Sequence, residues 1–239
     1  MLCKGILFFF FSVLTVHAIP QSYNFRNYNS EDGLTQSYVY SILQDVQGYL
    51  WIGTDNGLFR YNGLKFENYP TGDSLADNFI TCSVSDGKWP WFGYSNGRVL
   101  YFNGKNFNAV NITHHDLSSI THFAKSPDDQ IWASTYSDGL LKLSKDTGAV
   151  KRYHFKDQTI IISFDFLNDT ELLAGTNTGL LYCRLKGSDE IELIRPVLEI
   201  PESKVTCIHK MRNKSGFYIA TENDGIFQLT TKYNQFKIS

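Results

Sequence analysis

One phrase recurs five times along the chain, and this repeat limits the choice of folds more than any other feature. Its copies read LWIGTDNGLFRY (50–61), PWFGYSNGRVLYF (90–102), IWASTYSDGLLKL (131–143), LLAGTNTGLLYC (172–183) and FYIATENDGIFQL (217–229). Their leading residues, at intervals of 40, 41, 41 and 45, are Trp51, Trp91, Trp132, Leu173 and Tyr218. A period of this length made only of short strands predicts an all-β fold, a β-propeller with one four-stranded antiparallel sheet, or blade, per repeat.

The first repeat divides into four strands at its turns. YVYSILQD predicts the inner strand, YLWIGT the second, LFRY the third and KFENY the outer strand. The DNG between the second and third strands is a strong hairpin signal, because Asn56 and Gly57 tolerate the positive φ of a tight turn. Turn geometry alone explains why this glycine recurs in every copy. The predicted blades span approximately residues 37–69, 78–110, 118–155, 159–194 and 203–238.

The predicted inner strands repeat at two positions. The first is β-branched in every copy, and its residues are Val39, Ile80, Ile120, Ile161 and Val205. The second follows two residues later, at Ser41, Cys82, His122, Ser163 and Cys207. Small side chains there suit strands that converge on a crowded axis. His122 is the exception, and a lone histidine among small residues favours a packing role over a catalytic or metal-binding one.

An outer-strand phrase stands near each end of the chain. NFRNY (24–28) matches the outer strand of the first repeat, since Phe25 and Tyr28 precede Phe66 and Tyr69 by 41 residues. Phe236 also aligns with Phe66, so the last repeat has an outer strand of its own. A closed five-bladed ring would leave 24–28 as an unpaired edge. We therefore expect residues 23–28 to be an orphan strand that closes a last blade whose other strands lie beyond residue 239.

Residues 1–18, MLCKGILFFFFSVLTVHA, have the pattern of a secretory signal peptide. One positive charge precedes an apolar run from Ile6 to Val16, and Ala18 gives the small residue of a cleavage site. The run is too short to cross a bilayer, and no other stretch approaches the length of a membrane helix. We therefore expect an exported, periplasmic chain whose propeller, residues 19–239, makes no membrane contact of its own.

Charge and cysteine content exclude several other classes of protein. A formal net charge of −2 provides no basic surface for nucleic acid. Three cysteines remain after the signal, and their odd number and irregular spacing fit neither a disulfide framework nor a zinc site. We expect free thiols at Cys82, Cys183 and Cys207 and predict no metal and no cofactor.

The segment GLTQSYVYSILQDVQGYLWIGTDNGLFRYNGLKFENY (33–69) resembles the two-component regulator propeller repeat. The resemblance covers the chain after the signal and is weaker in the second and fourth blades. There SDGKWPW (85–91) departs from the usual Asp-x-x-Gly turn and Leu173 replaces the leading tryptophan.

This resemblance implies a function as well as a fold. It implies that the chain is five blades of an incomplete seven-bladed ring, within the periplasmic sensor of a hybrid histidine kinase. Many members of the family respond to oligosaccharides. The sequence has no phosphoacceptor segment, nucleotide-binding region or receiver, so any kinase activity would belong to a longer protein and the chain itself is expected not to be an enzyme.

Two other classes remain open at this stage. One is a propeller scaffold that binds a protein partner on its flat face. The other is a secreted propeller enzyme similar to the streptogramin-cleaving lyases, which would need acid–base groups or a metal near the axis. The one cluster of histidines, HHD at 114–116, falls in a loop between blades, where a solvated loop explains it better.

A ligand site is expected where the turns between second and third strands and the loops between blades share one face. Amides and carboxylates there can pair with sugar hydroxyls, and aromatic rings can stack on sugar C–H patches. Tyr94 and Tyr136 are predicted in these turns. The predicted ligand contacts are Asp55, Asn56, Tyr94, Asn96, Tyr136, Asp138, Asn177 and Asn223. The expected partner is a small oligosaccharide, and a homodimer is left open.

Overall fold

The structure is a computed structural model that describes residues 24–35, 38–70, 79–112, 118–145, 150–155, 159–186, 190–212, 216–232 and 235–238. Within these ranges, twenty strands form five antiparallel sheets of four strands each, and every sheet follows the order of the chain. The helical content of this part of the chain is a single 3-10 turn at Ser30–Asp32. The prediction of an all-β fold with four-stranded blades is confirmed.

The strands are numbered in chain order, four to a blade. The first blade contains β1 (Val39–Gln44), β2 (Leu50–Thr54), β3 (Gly57–Tyr61) and β4 (Phe66–Tyr69). The second contains β5 (Ile80–Ser85), β6 (Pro90–Tyr94), β7 (Val99–Phe102) and β8 (Phe107–Ala109). The third contains β9 (Ile120–Lys125), β10 (Ile131–Thr135), β11 (Leu140–Leu143) and β12 (Val150–Tyr153). The fourth contains β13 (Ile161–Phe166), β14 (Glu171–Thr176), β15 (Leu180–Lys186) and β16 (Glu190–Pro196). The fifth contains β17 (Val205–Lys210), β18 (Gly216–Thr221), β19 (Ile226–Lys232) and β20 (Gln235–Ile238).

The hydrophobic core lies between blades, in four layers. Each layer combines residues of two consecutive blades, as where Trp51 and Leu58 of the first pack with Ile80 and Phe92 of the second. The other three layers join the second blade to the third, the third to the fourth and the fourth to the fifth. A single blade therefore buries its apolar faces only against its neighbours, as expected for a repeat architecture.

In the second to fifth blades, the β-branched residue at the start of the inner strand is buried, and Ile80, Ile120 and Val205 each fit against a glycine of the preceding blade. Ile80, Ile120, Ile161 and Val205 are all buried. A Cβ added to Gly93 would lie 2.6 Å from Cγ2 of Ile120 and 2.8 Å from Sγ of Cys82. Glycine at this position thus allows two neighbouring sheets to approach closely.

Hydroxyl groups link neighbouring inner strands as well. Thr81 donates to the backbone oxygen of Ile120 at 2.6 Å, one blade further on. Thr121 makes the equivalent hydrogen bond to Ile161 at 2.7 Å. At these two junctions, apolar packing and a directional hydrogen bond together hold the adjacent blades in register.

Several expectations fall outside the described residues or stay predictions. The signal peptide, 1–18, lies outside them, as does the histidine cluster at 114–116. Residues 24–29 form no strand, and the expectation that 23–28 closes a further blade is not tested by the sheet pairing. No helix in the described ranges has the length and apolar character needed to cross a bilayer.

Candidate functional site on the turn face

The turns between second and third strands and the segments between blades lie side by side at one end of the sheets. The backbone N–H of Tyr136 donates to the carbonyl of Ser119 at 2.9 Å, and that of Glu222 donates to Lys204 at 2.9 Å. Each of these bonds joins a turn to the segment that enters the same blade. This end, here called the turn face, carries all five turns because every blade has the same strand order.

Four of the five turns share one polar lock. A buried threonine ends the second strand, accepts a backbone N–H from within the turn and donates to the carbonyl of the glycine that closes it. In the first blade the Thr54 hydroxyl donates to Gly57 at 2.8 Å and accepts from Asn56 at 3.2 Å. The threonines that make this lock are Thr54, Thr135, Thr176 and Thr221. In the sequence, the threonine that recurs in TDNG, TYSDG, TNTG and TENDG is the signal of this lock.

Tyr94 occupies the position of that threonine in the second blade, which corrects its expected placement. The sequence predicts Tyr94 in a loop, but it is the last residue of β6 and its side chain is fully buried. Its ring packs in the layer between the first two blades, and the Arg98 guanidinium lies 5.2 Å from its centroid. Tyr94 therefore offers no ring face to a ligand, because the strand position it fills points into the core.

Most of the other predicted contacts lie on the surface of the turn face. The exposed ones are Asp55, Asn56, Asn96, Tyr136, Asn177 and Asn223. Asn96 also holds its own turn, since its Oδ1 accepts the Arg98 N–H at 3.1 Å. Exposure alone does not test whether these residues contact a ligand, so their roles as ligand contacts stay predictions.

Tyr136 is an exposed aromatic ring on a well-held backbone. Its side chain is 56% exposed. Its own N–H is fixed on Ser119, and the N–H of the next residue, Ser137, donates to Oγ of Ser118 at 2.8 Å. A fixed backbone under an exposed ring is suited to stacking, because little conformational freedom is lost on binding.

Asp138 is largely occupied by structural partners. Its Oδ2 accepts from the backbone N–H of Ser118 at 2.9 Å and from the Ser118 hydroxyl at 2.8 Å. Arg152 lies 3.9 Å from its Oδ1. Partial burial raises the pKa of Asp138, but the Ser118 hydrogen bonds and the charge of Arg152 outweigh it, so the pKa lies below its ordinary value. The carboxylate thus braces the turn that carries Tyr136 and has limited capacity left for a ligand.

A groove of about 400 Å³ opens on the turn face of the fourth blade, between the turn at 178–181 and the segment 196–202 that leads to the fifth blade. Its walls combine apolar residues, Leu180, Val197 and Ile200, with polar groups from Thr178 and Glu202. Leu198, which also lines it, is strongly exposed. The predicted ligand contacts did not include this segment, because VLEI (197–200) has no amide or aromatic side chain.

His122 lies on the inner strand β9 and packs against an aromatic ring of the next blade. Burial lowers the pKa of His122 to about 4, so its imidazole is neutral at neutral pH. Its ring meets the Phe164 ring edge-on, with centroids 5.7 Å apart. In the described part of the chain, no group of three or more His, Cys, Asp or Glu is arranged to hold a metal ion. The geometry at His122 fits the packing role favoured from the sequence.

Cys82, Cys183 and Cys207 are free thiols. Burial raises the pKa of both Cys82 and Cys183 to about 12, so these two sulfurs stay protonated and unreactive near neutral pH. Cys207 is exposed on β17.

Comparison of the fold places the chain among the β-propellers. It resembles an extracellular domain, described as part of a hybrid two-component system of B. thetaiotaomicron, with a TM-score of 0.73 at 22% identity over 89% of this chain and 31% of that one. It also resembles virginiamycin B lyase from Staphylococcus aureus, with a TM-score of 0.52 at 14% identity over 86% of this chain and 85% of that one. At such identities the likeness establishes the propeller fold alone.

Comparison of the sequence confirms the repeat recognised in the first blade. Residues 33–56 match the model of the family named Two component regulator propeller. Histidine kinase P4 from Formosa agariphila is 35% identical over 65 residues, which are 27% of this chain and 5% of that protein. The chain thus spans a small part of this relative and about a third of the solved extracellular domain.

Proposed function

We propose that the chain is the ligand-sensing propeller of an exported two-component sensor histidine kinase and that it binds a short oligosaccharide on the turn face without cleaving it. The single observation that carries this proposal is the exposed Tyr136 ring, held on a fixed backbone among exposed amides and carboxylates. The matched repeat and the likeness to an extracellular two-component domain support the sensor context.

The chemistry of the turn face suits a neutral, hydroxyl-rich ligand. Asp55, Asn56 and Asn177 present acceptors and donors that can form paired hydrogen bonds with neighbouring hydroxyls. A tyrosine face contributes stacking area against the C–H groups of a pyranose ring. Because the turns differ from blade to blade while the strands beneath them repeat, ligand specificity can vary without disturbing the fold.

A binding screen tests the proposal. The purified chain is applied to an array of size-fractionated plant, algal and host oligosaccharides, beside the variants Tyr136→Ala and Tyr218→Ala. Tyr218 is the matched control because it is an exposed tyrosine of β18, away from the turns. We expect saturable binding that Tyr136→Ala weakens at least about tenfold and Tyr218→Ala leaves unchanged. Binding that is equally strong in both variants, or no binding at all, would refute it.

Analysis of the sugar after incubation separates binding from catalysis. We expect the bound oligosaccharide to be recovered intact after prolonged incubation at the saturating concentration. The appearance of shorter or unsaturated products would favour the secreted propeller lyase instead.

A protein-binding scaffold is the second candidate, and the groove on the turn face of the fourth blade favours it. Leu198 is 80% exposed at this groove and would suit an apolar side chain of a peptide better than a sugar. Capture of one defined protein from periplasmic extract, abolished by Leu198→Asp and unaffected by Tyr136→Ala, would support this candidate over the first.

A further inference from the structure

Three aromatic residues lie at the inner end of the turn face, where the inner strands of the first two blades begin. Tyr40 is the second residue of β1, and its ring packs on that of Phe79 with centroids 4.6 Å apart and planes tilted by 54°. Tyr40 is 49% exposed, and Tyr38, which comes directly before β1, is 68% exposed. The ligand contacts predicted from the sequence include none of these three residues.

Phe79 stands on the same face as the turn that carries Tyr136. The backbone N–H of Ser95, in the turn between β6 and β7, donates to the carbonyl of Phe79 at 3.0 Å. Tyr136 makes the equivalent bond to Ser119 in the third blade. Phe79 therefore holds in the second blade the place on the turn face that Ser119 holds in the third.

Tyr38 and Tyr40 lie at the same end of the first blade. β1 and β2 pair Val39 with Thr54, the residue that ends β2. Tyr38 precedes this pair on one side, and exposed Asp55 follows it on the other and begins the turn. The tyrosine rings and the carboxylate of the first turn therefore share one end of the sheet.

The junction between blades does not require an aromatic residue at position 40. The later blades have Thr81, Thr121, Ile162 and Thr206 there. Two of these threonines donate their hydroxyl to a backbone carbonyl of the next blade, at 2.6 and 2.7 Å. Tyr40 meets the next blade through its ring instead. Since a small hydroxyl residue serves the junction elsewhere, the exposed ring of Tyr40 provides a surface that the fold does not need.

We propose that Tyr40 and Phe79 form a second stacking subsite for the oligosaccharide, at the inner end of the turn face. This inference rests on the proposed function and extends its site from the third blade to the first two. An aromatic face accepts the C–H side of a pyranose ring, and the carboxylate and amide of Asp55 and Asn56 can pair with its hydroxyls. This mixture of rings and polar groups suits a sugar better than an apolar side chain.

Two subsites on one face require a ligand of several sugar units. An oligosaccharide long enough to contact both the Tyr40–Phe79 pair and Tyr136 gains affinity from the second contact, because its translational freedom is lost only once. A shorter oligosaccharide contacts one subsite and lacks this gain. The affinity is therefore expected to rise steeply at one length of a homologous series, and the Tyr40 ring is expected to contribute only above that length.

Variants that copy the later blades remove the rings with little disturbance of the fold. Tyr40→Thr introduces the residue of the second and third blades, and Phe79→Ser introduces that of the third. Both are compared with the unmodified chain, with Tyr136→Ala and with Tyr40→Phe, which keeps the ring. The probes are ladders from disaccharide to octasaccharide of cellulose, laminarin, xylan and polygalacturonate, and isothermal titration calorimetry measures their affinities.

The length dependence gives the expected result. Tyr40→Thr and Phe79→Ser should each weaken binding of the long members at least about tenfold and leave the short members unchanged, and Tyr40→Phe should stay within about twofold of the unmodified chain. If both ring deletions bind the long members normally while Tyr136→Ala weakens them, the second subsite is wrong and the proposed function stands. If the unmodified chain binds none of the ladders, both are wrong. An equal loss for short and long members, with a lower unfolding temperature, would assign the rings to the fold and overturn the inference.

Chemical modification of the unmodified chain tests the subsite without any variant. Tetranitromethane nitrates exposed tyrosines, and mass spectrometry measures the extent at each one. The octasaccharide that binds most tightly should protect Tyr40 from nitration at least about tenfold and leave Tyr218 on β18 unaffected. Equal nitration of Tyr40 with and without this octasaccharide overturns the inference.

Discussion

The same five repeats build both the turn face and the junctions between blades. The two regions differ in which residues recur from repeat to repeat. At the junctions, a β-branched residue meets a small one and a hydroxyl or an aromatic ring completes the contact, with little change from blade to blade. On the turn face, only the threonine lock and the closing glycine recur, and the residues between them change in every copy. The residues that recur in every repeat are thus those that hold the fold together. The residues that vary lie on the surface where a ligand can bind.

The largest effect that separates the two regions is expected at Phe164. This ring is fully buried in the junction of the third and fourth blades. Phe164→Ala should lower the free energy of unfolding by about 3–5 kcal/mol, since it leaves a cavity between two sheets. Its counterpart in the first blade, Ile42, is 66% exposed on an open sheet face, and Ile42→Ala should lower the free energy of unfolding by less than about 1 kcal/mol. Urea denaturation of both variants measures the difference, and equal losses would contradict the account of the junctions.

A smaller loss is expected at Gly93, where the second and third blades approach most closely. Gly93→Ala places a methyl group against Ile120 and Cys82, and overpacking of this kind costs about 1–3 kcal/mol. Ala220 fills the equivalent position of the fifth blade and already carries a Cβ, so Ala220→Gly should change stability by less than about 1 kcal/mol. Differential scanning calorimetry should show a clearly lower unfolding temperature for Gly93→Ala and only a small change for Ala220→Gly.

The two regions should also respond to acid over different ranges. At the junction, the pKa of His122 falls from 6.5 to about 4 on folding. The unfolded chain therefore binds a proton between these values that the folded chain does not, and stability falls as the pH drops from 6.5 towards 4. His122→Gln should flatten the stability profile in that window. If His122→Gln leaves the dependence of stability on pH unchanged, the His122 ring is less buried in solution than in the structure.

On the turn face, Asp138 should act at lower pH. Its folded pKa lies below the ordinary value of 3.8, so the stability it contributes is complete above 3.8 and is lost as the pH falls below it. Asp138→Asn should destabilise the chain at pH 7 by about 1–2 kcal/mol, and the gap should close in the acid range. Denaturation at pH 7 and pH 3 checks both halves of this expectation.

The sequence predicted the strands well because their signals are local and repeated. The five inner strands, the turn glycines and the buried leading residues of the first four repeats all follow from the 40–45-residue period and from alternating apolar positions. Tyr94 shows why the site was harder to predict. Its place in the phrase YSNG suggested a loop, but one residue of register decides whether a side chain faces solvent or core.

The groove at Leu198 was missed for a related reason. It is lined by two parts of the chain, 178–181 and 196–202, which lie side by side because β15 pairs with β16. A local sequence pattern does not show which segments of the chain lie side by side at the end of a sheet.

Hydrogen–deuterium exchange on the chain, with and without a saturating oligosaccharide from the binding screen, tests the central claim most directly. The turn-face proposal predicts slower exchange of amides in the turn that carries Tyr136, over residues 135–139, and in neighbouring turns. Amides of the junction strands should exchange at their unliganded rates. Protection confined to the groove at 196–202, or to the open face of the first blade, would contradict the assignment of the turn face as the ligand site.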